Sequence, residues 1–102
     1  MSDIASAREA LTTRILDGDG KASTSERRAA FNNSGLAEPL RSLVDKVACH
    51  ANSVTDNDIA AARVSGLTED QVFEIVVCAA VGQATRQYDS ALTALEAAAG
   101  EL

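Results

Sequence analysis

The residues of this sequence with the greatest potential for chemistry are a cysteine and a histidine that stand side by side, Cys49 and His50. A thiol becomes a good nucleophile when a base or a positive field lowers its pKa, so the pair could form a catalytic thiol site. Adjacent residues of a helix, however, point about 100° apart and do not face each other. The sequence therefore favours a semi-buried cysteine beside a histidine that lies on the surface or at a helix end.

A second group of polar residues recurs every four positions on one face of a long apolar segment: Glu74, Cys78 and Arg86, with Gly82 between the last two. A carboxylate inside an apolar helix needs a partner or water. One interpretation is a polar pocket in which Glu74 acts as a base. The favoured alternative is an ion pair between Glu74 and an arginine of another helix, or a helix face at an oligomer interface.

Metal and cofactor sites are not predicted. The segment from Asp17 to Arg28 begins like a calcium loop, but it places Lys21, Ala22 and Arg28 where that loop needs an oxygen ligand, a glycine and a glutamate. The glycines fit neither a phosphate loop nor a dinucleotide-binding motif. With one histidine and no cysteine pair at CxxC spacing, a zinc site is not expected either.

The elements that carry these residues are predicted to be helices. Three capping boxes mark helix starts, at Ser23–Glu26, Thr55–Asp58 and Thr68–Gln71. Ser2 is a candidate cap for a first helix that ends near Gly18, and Pro39 suits the first turn of a third helix. The sequence therefore predicts an all-α, single-domain compact bundle of five to six helices over residues 1–102.

The third and last of these helices have the clearest patterns. Apolar residues at spacings of three and four run from Leu40 to Ala51 and predict a buried face that includes Val47, Ala48 and Ala51. The last helix is apolar on nearly every side from Val72 to Val81, so it is expected at the centre of the domain, with a bend or break at Gly82. Beyond it lies a second apolar stripe, formed by Tyr88, Ala91, Leu92 and Leu95.

The composition limits the range of functions. The formal net charge is -6, and an acidic chain repels nucleic acids and anionic membranes, so neither is an expected partner. The sequence contains no apolar run of membrane-spanning length and no basic-then-apolar leader, so we expect a cytoplasmic protein with reduced cysteines. The second apolar stripe suggests a homo-oligomer.

The segment VTDNDIAAARVSGLTEDQVFEIVVCAAVGQATRQYDSAL, residues 54–92, resembles the alkylhydroperoxidase-D-like, or carboxymuconolactone decarboxylase-like, families. Their members carry a short helix, a Gly-Leu-Ser/Thr-x-Asp/Glu turn and a long helix rich in alanine and valine. The turn corresponds here to residues 66–70, and the resemblance is strongest over residues 40–95. It implies an all-helical domain of the alkylhydroperoxidase-D-like fold that commonly assembles as a homo-oligomer.

The redox motif of these families is missing from this chain. Redox members carry C-x-x-C-x-x-x-H just before the turn, and counting back from Gly66 puts its three residues at Ala51, Val54 and Asp58. None of the three matches, and Cys49 is out of register. The glutamate that precedes the motif has no secure counterpart, although Glu38 lies nearby. The resemblance therefore does not imply thiol peroxidase chemistry by the usual route.

Three functional hypotheses follow. The first is a binding or assembly protein without redox chemistry, and the absent motif favours it. The second is a small-molecule enzyme of the decarboxylase-like type, in which Glu74, Arg86 or His50 transfers protons or binds an anionic ligand. The third is an atypical thiol peroxidase that uses Cys49 or Cys78.

Overall fold

The computed structural model describes residues 2–100, which form helices joined by short loops. The α-helices are α1 (Ser2–Asp17), α2 (Thr24–Asn32), α3 (Leu40–Cys49), α4 (Asp56–Val64) and α5 (Glu69–Gly100), and a 3₁₀ turn (Ala51–Ser53) joins α3 to α4. No strand occurs within residues 2–100. The predicted all-α class and the number of helices are therefore confirmed, as is a single compact domain.

The helix starts are set by local hydrogen bonds, as the sequence predicts. At α4, the hydroxyl of Thr55 accepts a hydrogen bond from the Asp58 N–H, and the Asp58 carboxylate accepts one from the Thr55 N–H at 2.8 Å. Thr68 and Gln71 make the same reciprocal pair before α5. Pro39 lies just before α3 rather than in its first turn. The backbone N–H of Ser42, near the start of that helix, donates a hydrogen bond to the Glu38 carboxylate. The predicted cap at Ser2 depends on a side chain that lies outside the part of the chain whose side chains the structure describes.

Helix α3 is shorter than its apolar pattern predicts. The backbone of His50 leaves the helical region, with φ of -147°, and its N–H donates a last bond to the Lys46 carbonyl at 2.7 Å. Val47 and Ala48 are half-buried, but Ala51 lies in the 3₁₀ turn and is exposed. The prediction that Ala51 belongs to the buried face is therefore wrong, because the chain turns toward α4 before that residue is reached.

Helix α5 forms the centre of the domain and packs against each of the other four helices. The buried part of α5 contributes Val72, Ile75, Cys78, Ala79 and Gly82 to the core. Every other helix adds at least one buried residue, namely Leu16 from α1, Ala30 from α2, Leu40, Leu43 and Val44 from α3, and Ala62 from α4. The prediction of a central last helix is confirmed.

Gly82 does not break α5, which runs without interruption from Glu69 to Gly100. The prediction of a break was wrong because the glycine serves a contact. A Cβ atom at position 82 would overlap the backbone carbonyl of Phe31, near the end of α2. The absence of a side chain at Gly82 therefore allows α2 to approach α5 closely.

The last two turns of α5 extend away from the rest of the domain. All residues from 93 to 100 are exposed, and the molecule measures 54 × 28 × 21 Å. Helix α1 runs antiparallel to α5, since Ile15 meets Cys78 and Arg8 meets Asp89. The end of α5 therefore has only the beginning of α1 beside it.

The ion pair at the start of α4 predicts an acid-sensitive contribution to stability. Hydrogen bonds from Thr55, together with the Lys46 ammonium 3.0 Å away, hold the pKa of Asp58 below its ordinary value of 3.8. A carboxylate whose pKa is lower in the folded than in the unfolded state stabilises the fold at pH values above its unfolded-state pKa. This stabilisation is lost as the pH falls through the pKa of the folded state. We expect Asp58→Asn to lower the urea midpoint at pH 7, with the difference from wild type shrinking below a pH of about 4.

The matched control is Asp56→Asn, which removes a charge from the same first turn. Unlike Asp58, Asp56 takes part in none of the salt bridges among the described residues. Its difference from wild type reports the helix-dipole contribution alone. An Asp58→Asn difference that stays constant from pH 7 to pH 3 would contradict the role given to the ion pair.

Candidate functional site

Cys49 and His50 lie at the exposed end of α3 and do not face a pocket. Cys49 is exposed, and its Sγ atom lies 3.9 Å from the Asp45 Oδ1 atom, a long contact within the same helix. The prediction of a semi-buried Cys49 was therefore wrong, because α3 ends at this residue and turns its last side chains to solvent. His50 is the C-cap of α3, as predicted for a histidine at a helix end.

Arg86 stabilises the end of another helix. Its Nη1 atom donates to the carbonyl oxygen of Phe31, and its Nη2 atom donates to the Gln83 Oε1 atom at 2.9 Å. The Phe31 carbonyl lies near the C-terminus of α2, where backbone acceptors lack partners within the helix. Arg86 therefore fastens α2 to α5 beside Gly82.

Glu74 is held by backbone N–H groups rather than by an arginine. Both of its carboxylate oxygens accept hydrogen bonds from the Lys21 N–H at 2.8 Å, and Oε1 also accepts one from the Ala22 N–H at 3.2 Å. The salt bridges of the described residues do not include Glu74. Glu74 therefore binds the backbone of the loop between α1 and α2 instead of forming the expected ion pair with an arginine.

A buried arginine beside Glu74 is the residue that the sequence analysis missed. Arg27 is only 5% exposed, and its Nη1 atom donates to the carbonyls of Ile15 at 3.3 Å and Gly18 at 2.8 Å. It thereby satisfies acceptors at the end of α1, where a positive charge also favours the helix dipole. Its Nε atom is buried without a hydrogen-bond partner. Spacing was the available signal: Arg27 precedes Ala30 by three positions, so the two residues lie on the same face of α2.

Arg27, Glu74 and Cys78 meet in a cleft of about 260 Å³ between α1 and α5. The full lining consists of Arg14, Ile15, Asp19, Arg27, Phe73, Glu74, Val77 and Cys78. The Sγ atom of Cys78 donates to the Ile15 carbonyl at 3.5 Å. Glu74 and Cys78 thus share one cleft, whereas Arg86, Cys49 and His50 lie elsewhere.

Burial raises the pKa of the Cys78 thiol, the positive charge of Arg27 lowers it in part, and the negative charge of Glu74 raises it. Because the net effect is a raised pKa, the thiol is protonated at neutral pH. A protonated thiol is a poor nucleophile. Cys78 is therefore suited to packing and to its contact with Ile15.

A second surface with exposed apolar groups lies at the far end of α5. We call Tyr88, Ala91, Leu92 and Leu95 the α5 stripe; together they line a shallow groove. Leu95 is 66% exposed, and on the adjacent α1 helix Ile4 is 51% exposed. The Arg8 guanidinium covers the Tyr88 ring at 4.4 Å and pairs with Asp89 at 2.9 Å. The groove is thus mainly apolar, with the Arg8–Asp89 ion pair at one end.

Comparison of this chain with known protein families, with curated proteins and with solved structures gave no match. Within residues 2–100, no group of three or more histidine, cysteine or acidic side chains is arranged to hold a metal ion. None of the helices in that range combines the length and the apolar character needed to cross a membrane.

The families that this sequence resembles carry redox residues at three positions. In this chain the corresponding residues lie around the start of α4. Ala51 opens the 3₁₀ turn, Val54 follows it, and Asp58 lies in the first turn of α4 with its carboxylate bound to Thr55 and Lys46. Glu38 accepts hydrogen bonds from Ser42 and Arg41 near the start of α3, and these contacts lower its pKa. Asp58 and Glu38 therefore serve helix capping and ion pairing.

Proposed function

We propose that this chain is an assembly protein without redox activity, a divergent relative of the alkylhydroperoxidase-D-like families, and that it pairs with a second copy of itself. The observation that carries the proposal is the exposed α5 stripe on a helix end that extends beyond its own domain. Exposed apolar groups arranged contiguously are typical of interaction surfaces. The family resemblance, with its expectation of homo-oligomers, points in the same direction.

The spacing of residues along the end of α5 suits helix pairing. Tyr88, Leu92, Leu95 and Ala99 follow one another at intervals of four, three and four. This spacing keeps one seam facing a partner helix, as in a coiled coil. The residues beside the seam include Ala91 and Ala98, whose small side chains let two helices approach closely.

A second copy is the occupant that best fits this surface. A two-fold axis brings the same patch of both copies together, so an apolar stripe meets an apolar stripe. In an antiparallel pairing centred on Leu92, Glu96 of each copy approaches the Tyr88 end of the other stripe, where Arg8 lies. Because Arg8 is already paired with Asp89, apolar contact rather than charge would hold the seam together.

The end of α5 would gain stability from such a partner. Residues 93–100 are all exposed, so these turns lack the tertiary packing that supplies most helical stability in proteins. Pairing would bury Leu95 and the neighbouring alanines and so stabilise the last turns. Ile4 of α1 would lie at the border of the same contact.

The two enzymatic hypotheses have weaker support. The groups suggested for a decarboxylase-like enzyme are separated, since Glu74 clamps a loop, Arg86 binds the end of α2, and His50 lies at the end of α3. For the thiol peroxidase, Cys78 is buried with a raised pKa and Cys49 is exposed at the end of α3. The raised pKa of Cys78 keeps its thiol in the protonated, poorly nucleophilic form.

Charge placed in the α5 stripe tests the proposal. We expect wild-type protein to scatter light as a dimer, with twice the 10.6 kDa mass of the chain, at micromolar concentration. The Leu92→Glu, Leu95→Glu double variant should weaken dimerisation by at least about 100-fold, because four carboxylates would have to enter the apolar seam. Circular dichroism checks that the rest of the domain remains helical.

Val64→Glu is the control, since Val64 is 87% exposed on α4 and lies outside the stripe. It should dimerise like the wild type. A wild-type monomer at micromolar concentration, or equal loss of dimer in the stripe variant and the control, would refute pairing through α5.

A further inference from the structure

One side of α5, in the first half of the helix, is open to solvent. Phe73 is 67% exposed, and Ala80 and Ala84 further along the same side are exposed as well. Phe73 lines a groove toward α4 together with Ile59 and Val76, and it also lines the cleft toward α1. The open side of α5 is therefore an apolar channel bordered by α1 and α4.

The residues along this side of α5 have a symmetrical spacing. Seven of them follow one another at intervals of four, three, four, four, three and four, namely Phe73, Val77, Ala80, Ala84, Tyr88, Ala91 and Leu95. These intervals keep all seven on one side of a helix. We call the first four the Phe73 face, and the last three belong to the α5 stripe. The intervals are the same when counted from either end, with Ala84 in the middle.

We propose that the second copy of the proposed dimer covers the Phe73 face, with the two α5 helices antiparallel and crossing at Ala84. This crossing presupposes the dimer proposed above and moves its two-fold axis from Leu92, where the Phe73 face would stay uncovered. The exposed end of each α5, residues 93–100, would then lie in the open channel of the other copy. Each copy supplies both the channel and the helix end that fills it, as a two-fold interface requires.

The side chains that would face each other are complementary in size. About an axis at Ala84, positions equally far from it are opposite each other, so Tyr88 lies opposite Ala80 and Leu95 lies opposite Phe73. A large side chain therefore meets a small one near the centre. At the two ends, the two most exposed large apolar side chains of α5, at 66% and 67%, cover each other. The alanine at the crossing lets the two helices approach closely.

The crossing at Ala84 also makes the contact longer. A pair that crosses at Leu92 overlaps over residues 84–100, about 24 Å at a rise of about 1.5 Å per residue. A pair that crosses at Ala84 overlaps over residues 69–99 of α5, about 45 Å. Stable interfaces bury roughly 800 Å² of each partner, so a dimer gains from adding the Phe73 face to the contact.

The acidic residues of the two copies stay apart in this arrangement. A chain with a net charge of -6 can pair with itself only where carboxylates do not oppose each other. Each acidic residue of α5 is level with an apolar residue of the other copy. The pairs are Glu69 with Ala99, Asp70 with Ala98, Glu74 with Ala94, Asp89 with Ala79, and Glu96 with Val72.

Single cysteines at the two candidate axes identify the crossing point. A residue on a two-fold axis meets its own copy, so Ala84→Cys should be joined into a covalent dimer by a short bismaleimide. Leu92→Cys should not be, because the two residues 92 would lie about 24 Å apart along the pair. A linker is preferred to oxidation because packed helix axes are about 8–10 Å apart, beyond the usual reach of a disulfide. Both variants also carry Cys49→Ser, since Cys49 is exposed whereas Cys78 is buried.

Phe73→Glu tests the covered face directly. It should weaken dimerisation in light scattering by at least about tenfold, because a carboxylate would enter the apolar contact beside the other copy's residue 95. Val64→Glu is the control, since Val64 is 87% exposed on α4 outside this side of α5, and it should dimerise like the wild type. Circular dichroism checks that both variants remain helical.

The outcomes separate this inference from the proposed function. A Phe73→Glu variant that dimerises like the wild type, or linkage through residue 92 but not through residue 84, would overturn the crossing at Ala84 and leave the dimer itself intact. A wild-type chain that is monomeric at micromolar concentration would refute the dimer, and the crossing with it.

Discussion

Replacing Gly82 with alanine is expected to lower the free energy of unfolding by about 2–3 kcal/mol, as for other overpacked cores. Alanine is the better helix former, and on an open helix face this exchange would stabilise the protein by about 1 kcal/mol. At position 82 the new Cβ would overlap the carbonyl of Phe31, which is backbone and cannot rotate away. The steric cost therefore outweighs the gain in helix propensity.

The destabilisation has a second source. The carbonyl that would be displaced also accepts the hydrogen bond of Arg86, so moving α2 away from α5 weakens this link as well. Both effects act at the contact between α2 and the central helix. Urea unfolding followed by circular dichroism measures the loss.

The same substitution at Gly100 is the control. Gly100 belongs to the same helix, and nothing lies within 4 Å of a Cβ built there. Gly100→Ala should leave the urea midpoint unchanged or raise it slightly. Equal behaviour of the two variants would show that helix propensity alone governs position 82 and would contradict the close contact.

Replacing Arg27 with methionine is expected to cost about 2–3 kcal/mol of folding free energy. Methionine is unbranched and about as long as the aliphatic stem of Arg27, so the packing of the buried stem is largely preserved. The variant loses the hydrogen bonds from Arg27 to the carbonyls of Ile15 and Gly18, and the Ile15 carbonyl then keeps only its weak contact with the Cys78 thiol. A hydrophobic residue does not recover this loss, because the carbonyls remain.

Arg28 provides the matched control at the next position. Its side chain is 53% exposed and pairs only with Asp17 on the surface. Surface ion pairs of this type contribute at most about 1 kcal/mol, so Arg28→Met should be nearly neutral. If the two variants unfold at the same urea concentration, the buried guanidinium is not the link between α1 and α2 described here.

Much of the fold could be predicted because it depends on short-range chemistry. The boxes at Thr55 and Thr68 start α4 and α5 through bonds between residues three apart, so they can be recognised without any tertiary information. The central position of α5 follows from its nearly continuous apolar surface between Val72 and Val81. The missing redox motif is likewise a property of the sequence, since it requires only reading Ala51, Val54 and Asp58.

The candidate site could be predicted only in part. Spacing placed Glu74 and Cys78 on one face of α5, and the structure gives them one cleft. Their partners come from far along the chain: Glu74 binds the loop at Lys21, 53 positions away, and Cys78 binds Ile15, 63 positions away. Arg86, on the same face, reaches the end of α2 instead.

The sequence by itself therefore determined which segments become helices, where most of them begin, and that no two cysteines stand at CxxC spacing. Only the tertiary structure decided what the polar residues inside those helices do. The physical reason is that capping is a contact between near neighbours, whereas a buried charge takes whichever partner the packing brings to it. For Glu74 that partner is a pair of backbone N–H groups, and for Arg27 it is the end of α1.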